Sequence, residues 1–158
     1  MSFTDDLTTL YDDLGLSAKA RAMVDHICAS DPVRNVSSGR GNVTIQFPSH
    51  IMARQIQAES RHGELVFIYK WEWDPRVRGF LCQPTTLPIR YRTVSGKWSG
   101  GRHTPDYLLM HDEGVEFVEI TTRSEAERRA RKWPDRICPD DSGGWRSPAG
   151  EAAAAEYD

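Results

Sequence analysis

Residues 103–122 read HTPDYLLMHDEGVEFVEITT, and how they fold decides the architecture of the chain. Two short apolar runs flank Asp112-Glu113-Gly114, which is turn chemistry, so the stretch predicts a β-hairpin. Alternate residues of a strand share a face. Asp106, Leu108 and Met110 fall on one side of the first strand, with Tyr107 and Leu109 on the other. On the second strand Val115, Phe117, Glu119 and Thr121 share one side, and Glu116, Val118 and Ile120 the other. Strands apolar on both sides belong in the middle of a covered sheet. A two-residue loop at Asp112-Glu113 pairs residues whose numbers sum to 225, which sets Asp106 opposite Glu119. A bulge at Gly114 shifts that register by one.

Directly opposed side chains have Cβ atoms roughly 4.5–5.5 Å apart, so two carboxylates placed this way can share one cation. Two like charges in a half-buried site repel and are costly to desolvate, and a divalent ion removes both problems. Mg²⁺ takes oxygen ligands, keeps several waters, activates one of them and neutralises charge developing on phosphorus. A structural reading stands beside this one. Asp106 follows Pro105 and can open a strand by bonding nearby backbone, and Glu119 can pair with Arg102 or Arg123. Spacing alone leaves both open.

Upstream, Thr4 and Ser17 are placed to cap two short helices carrying Leu7, Leu10, Tyr11 and Leu14, then Met23, Val24, Ile27 and Cys28. They form a helical lead-in over residues 1–30. SDPVRNVSSGRGNV reads as a loop with flexible cations Arg34 and Arg40, and Gly39-Arg40-Gly41 lacks the ending of a phosphate loop. Ser49 can cap a long helix from about His50 to Trp71, with Ile51, Met52 and Ile56 on one side. Glu59 is a rival to Glu64 for any role on such a helix, and the two, five apart, point to different sides. RVRGFLCQP is a short strand, LPIRYRTV a half-exposed one, and SGKWSGG a glycine-rich loop. Ser124 can cap a last helix, EAERRARKW, whose Arg128, Arg129, Arg131 and Lys132 read as a solvated face or as phosphate contacts. The tail shows no core pattern. The order of elements predicts an α/β or α+β domain with one mixed sheet.

At 158 residues the chain can bury one real core, and 27% charged with 39% hydrophobic residues is a globular composition. The net charge of −3 argues against a protein that coats nucleic acid, though not against a local basic groove. Three scattered cysteines without a CxxC pair argue against a zinc site and fit a reducing cytosol. No apolar run approaches a membrane span, and the acidic start is unlike a signal peptide, so a cytoplasmic location is expected.

Pro105-Asp106, twelve residues, then Glu119-Ile120-Thr121 resembles the PD-(D/E)-x-K signature of restriction-endonuclease-like nucleases. The block GELVFIYKWEWDPRVRGFLCQP, with the ordered set Glu64, Gln83-Pro84, Pro105-Asp106 and Glu119, resembles the TnsA-like endonuclease domain found beside or fused to DDE-type transposases. The resemblance covers about Arg40 to Trp145. It implies a restriction-endonuclease-like mixed sheet flanked by helices over residues 31–146, with residues 147–158 a tail leading into a longer protein. It also implies Mg²⁺ (or Mn²⁺) on Glu64, Asp106 and Glu119, and cutting of the 5′ strand at transposon ends in cooperation with a DDE transposase. Arg40, Arg54, Lys97, Arg102, His103 and Arg123 are the candidate DNA contacts, His103 also being a candidate metal ligand. Oligomeric state is left open.

The motif's lysine is missing. Thr121 holds its place; it can hydrogen-bond a water but carries no charge to activate it. Three readings follow. Another cation, Arg123, Lys97 or Lys70, substitutes; the metal alone suffices for a slow enzyme; or the domain is an inactive nuclease fold kept for DNA or transposase binding. A stand-alone defence or repair nuclease is a further alternative.

Overall fold

Phe3–Asp13 (α1) and Ala18–Ala29 (α2) form the helical lead-in. The computed structural model describes residues 3–33, 44–59 and 63–157; the loop cations Arg34 and Arg40 lie outside them, as does the Gly39-Arg40-Gly41 stretch. α1 starts one residue before the Thr4 expected to cap it. Gly15, with φ +61, ends it by taking the left-handed conformation that side-chain-bearing residues avoid. Ser17 caps α2, its hydroxyl accepting from the amide of Ala20 at 3.0 Å. Leu7, Leu10, Tyr11, Val24 and Ile27 are buried in one cluster with the strands that follow, so the lead-in shares their core.

The helix expected from His50 to Trp71 is two structures. Ile45–Ser49 (β1) and Arg54–Ala58 (β2) form an antiparallel hairpin, from Ile45 opposite Ala58 to Ser49 opposite Arg54, and only Glu64–Trp73 (α3) is helical. The turn is held from a distance. The buried Glu72 carboxylate, on α3, accepts from the Ser49 hydroxyl at 2.7 Å and the amides of His50 and Ile51 at 2.6 and 3.3 Å. The apolar spacing of Ile51, Met52 and Ile56 therefore reflects a turn and an inward-facing strand residue rather than a helix stripe.

Val77–Cys82 (β3), Leu87–Arg92 (β4), Trp98–His103 (β5), Tyr107–His111 (β6) and Gly114–Val118 (β7) follow, then Arg123–Lys132 (α4), the short pair Cys138–Pro139 (β8) and Trp145–Arg146 (β9), and Pro148–Ala154 (α5). SGKWSGG is thus a turn and most of a strand, not a loop. α4 is capped by Thr122, whose hydroxyl accepts from the Glu125 amide at 3.2 Å, rather than by Ser124. The tail also has order, with Ala149 and Ala153 of α5 buried.

The β6–β7 hairpin takes the expected register, Tyr107 opposite Val118 through His111 opposite Gly114. β6 lies between β3 and β7 in a three-stranded sheet, so only β6 is central; β7 is an edge strand, half-buried where two-sided burial is expected. The one mixed sheet is corrected too. Among the described residues every pairing is antiparallel, in one three-stranded and three two-stranded sheets. Among the described residues the chain is a mixed α/β protein with several antiparallel sheets and five α-helices.

Two compact units result, residues 1–85 with 105–120, and residues 86–104 with 121–158. In the first, Trp71 of α3 packs edge-on against Tyr107 at 5.2 Å and tilted on Phe80 at 5.6 Å, tying helix to sheet. In the second, α5 packs on β4, whose Leu87 and Ile89 are buried.

Candidate active site

β6 begins at Tyr107 and β7 ends at Val118, so Asp106 and Glu119 lie immediately outside the ladder pair of Tyr107 with Val118, one before β6 and one after β7. Asp106 is anchored from both sides. Its carbonyl accepts from the amide of Gln83 at 2.8 Å, and its carboxylate Oδ2 accepts from the amide of Ile120 at 2.8 Å. Gln83 itself is buried with φ +46, a left-handed turn that ends β3. The second bond answers the structural reading in part, because Asp106 holds backbone of the opposing strand as well as opening its own.

Glu64 is the first residue of α3, where the helix dipole favours an anion. Its Oε2 accepts from the Glu59 amide at 2.8 Å and shares the Tyr107 hydroxyl, at 3.1 Å, with the carbonyl of Gln57 at 2.9 Å. Burial and the neighbouring Glu64 raise the Tyr107 phenol, so it remains a proton donor. Glu59 directly follows β2 rather than riding on a helix. The two glutamates expected to point apart meet through a backbone bond, and Glu59 Oε1 is closed off from solvent. Sequence spacing treats Glu59 as a rival to Glu64 facing another way and passes over Tyr107, because the places of both depend on the β1–β2 hairpin.

The electrostatics follow from this crowding. Burial pushes the Asp106 carboxyl up to about 6, the Ile120 amide pulls it down, and the charges of Glu119, Glu64 and Glu59 push it further up. Three glutamates of the same unit thus act on Asp106. Among the described residues no three His, Cys, Asp or Glu side chains come close enough to enclose an ion as they stand. The donor chemistry nevertheless fits a hard cation: all four are oxygen donors, and the charges of the three glutamates raise the proton affinity of Asp106.

The other expected residues are not all gathered here. Arg54 opens β2, exposed, at the end away from Glu59. Lys97, Arg102, His103, Thr121 and Arg123 belong to the second unit, the division falling between Ile120 and Thr121. Arg123 is engaged with Glu127 at 3.3 Å on the surface of α4, and Lys70 lies over the Phe67 ring at 5.8 Å. Among the described residues no helix is long and apolar enough to cross a membrane. No family model matches the chain, and neither does any curated protein sequence.

Proposed function

We propose that the carboxylate cluster of the first unit is the metal-binding centre of a DNA endonuclease domain, with Asp106, Glu64 and Glu119 holding Mg²⁺ or Mn²⁺. The observation that carries the reading is Asp106, a half-buried carboxyl raised to about 6 in the field of three other carboxylates. Crowded acids of this kind carry an electrostatic cost that a divalent cation removes. When bound, the ion supplies a polarised water and charge neutralisation at phosphorus. The chain's own residues do the positioning. The Ile120 amide fixes the Asp106 carboxylate, and the Tyr107 hydroxyl and Glu59 amide fix that of Glu64. By its resemblance to TnsA-like domains the substrate is DNA at transposon ends, cut on the 5′ strand beside a DDE transposase.

The test is nicking of supercoiled plasmid in Mg²⁺ or Mn²⁺, alone and with the transposase added. Wild type cuts, and Asp106→Ala and Glu119→Ala lose roughly 100-fold or more. No cutting by wild type in either series refutes the enzyme.

Thr121 supports a second reading, a nuclease fold without catalysis that binds DNA or transposase, because it supplies no charge where the motif has lysine. Thr121→Lys separates the two. A gain of roughly tenfold or more in nicking points to an intact centre lacking only its cation. An inert variant beside an inert wild type favours the binding module.

A further inference from the structure

We infer that the exposed face of the β4–β5 ribbon is a docking surface for the sugar-phosphate backbone of double-stranded DNA. The inference concerns the second unit alone and requires no reaction at the carboxylates. Residues 86–104 carry Arg90, Arg92, Lys97 and Arg102 and no Asp or Glu. The pairing sets Arg92 opposite Trp98, Arg90 opposite Gly100 and Pro88 opposite Arg102. Paired residues share a face, and all six are exposed. On β4 the opposite side is buried at Leu87 and Ile89, and α5 packs on that strand.

These cations are held ready for an outside anion. Among the described residues none of the four forms an ion pair, whereas Arg123 and Arg128 on α4 are matched to Glu127 and Glu125. The nearest acid to the ribbon in the hydrogen-bond pattern is Asp135, which accepts from the backbone amide of Arg92 at 2.7 Å, at the strand edge. The Arg92 and Arg90 guanidiniums lie 4.9 and 5.5 Å from the centroid of the Trp98 ring, itself 59% exposed. The ring restrains both forks and so lowers the entropy lost when they engage phosphate. Gly100, between Trp98 and Arg102 on the same strand face, leaves the middle of the ribbon bare.

The shape favours duplex over single strand. A two-stranded ribbon fits a DNA groove. Single-strand binding relies on successive aromatic platforms, and here one ring lies under two guanidiniums. The net charge of −3 conceals the asymmetry. The second unit holds eleven Lys and Arg against eight Asp and Glu, the first nine against fifteen. Such a field steers an anion to the second unit.

The experiment is fluorescence anisotropy of the full chain with a labelled duplex of about 30 base pairs and the matching single strand, in EDTA, between about 50 and 200 mM salt. Wild type binds the duplex. The double variant Arg90→Ala, Arg92→Ala binds it roughly tenfold more weakly near 100 mM salt, with a salt slope smaller by about two. Arg90→Lys with Arg92→Lys restores the slope, and circular dichroism shows each variant folded. Unchanged affinity and slope in the folded alanine variant overturn the inference. So does a wild type that fails to bind duplex, or one that prefers the single strand and depends on Trp98 for it. Because EDTA prevents cleavage, failure of the endonuclease reading leaves these outcomes distinct.

Discussion

Asp106 shows how one residue serves stability and function in opposite directions. Its carboxyl is raised from 3.8 to about 6 by burial and by its acidic neighbours. For a carboxyl raised on folding, the stabilisation is complete below about pH 4 and is lost as pH rises through about 6. At neutral pH the charged form therefore destabilises the fold. Asp106→Asn keeps an oxygen for the Ile120 amide and removes the charge. It raises stability by about 1–2 kcal/mol at pH 7, with the gain vanishing near pH 4, in urea titrations at the two pH values. Millimolar Mg²⁺ raises the Tm of wild type and much less that of the variant. The residue pair itself was legible in the sequence because period-2 alternation and a two-residue loop fix a register. That Glu59 lies beside Glu64 was not, because its position depends on a turn that no local pattern announces.

That turn belongs to the scale of elements. Residues 50–53 look helical in sequence, and what opposes the helix is a carboxylate more than twenty positions away. Glu72 substitutes for intrahelical partners by accepting the His50 and Ile51 amides, while Ala53 takes a left-handed φ of 50 that ordinarily costs an alanine energy. Glu72→Ala leaves these donors in a half-buried turn and lowers stability by about 2–4 kcal/mol, whereas Glu72→Gln, which keeps an acceptor, loses about 1 kcal/mol; chemical denaturation measures both. β5 escaped the sequence for a different reason. The face that pairs with Leu87, Ile89 and Tyr91 offers His103, Gly101 and Ser99 rather than apolar residues, so the alternation of β4 has no counterpart in its partner. α5 escaped because its inward residues, Ala149 and Ala153, are too small to make a hydrophobic stripe.

Across the molecule the carboxylates and the cationic ribbon fall in different units. Cleavage and binding are expected to separate accordingly. Asp106→Ala abolishes nicking and still retains DNA on a filter in EDTA. Arg90→Ala with Arg92→Ala loses retention, and its nicking recovers as protein concentration is raised. A variant pair failing in both assays together argues against this division of labour.

The placement of the ribbon within the chain also bears on how the protein folds. β3 and β6 are neighbours in the sheet, yet residues 83–106 intervene. Pairing them means closing a long loop, with the slow, entropy-limited search that distant contacts impose. The β4–β5 ribbon shortens that search, because its ends are pinned by the Thr86–Thr104 hydroxyl contact at 2.8 Å. A local hairpin formed within microseconds brings the flanks of β3 and β6 together before either strand has a partner. Its turn rests on Gly96, at φ +79. Gly96→Ala, strained there by about 1 kcal/mol, is therefore expected to slow refolding several-fold in stopped-flow fluorescence while hardly changing the unfolding rate. The ribbon then acts as a nucleus for a sheet to which it contributes no strand.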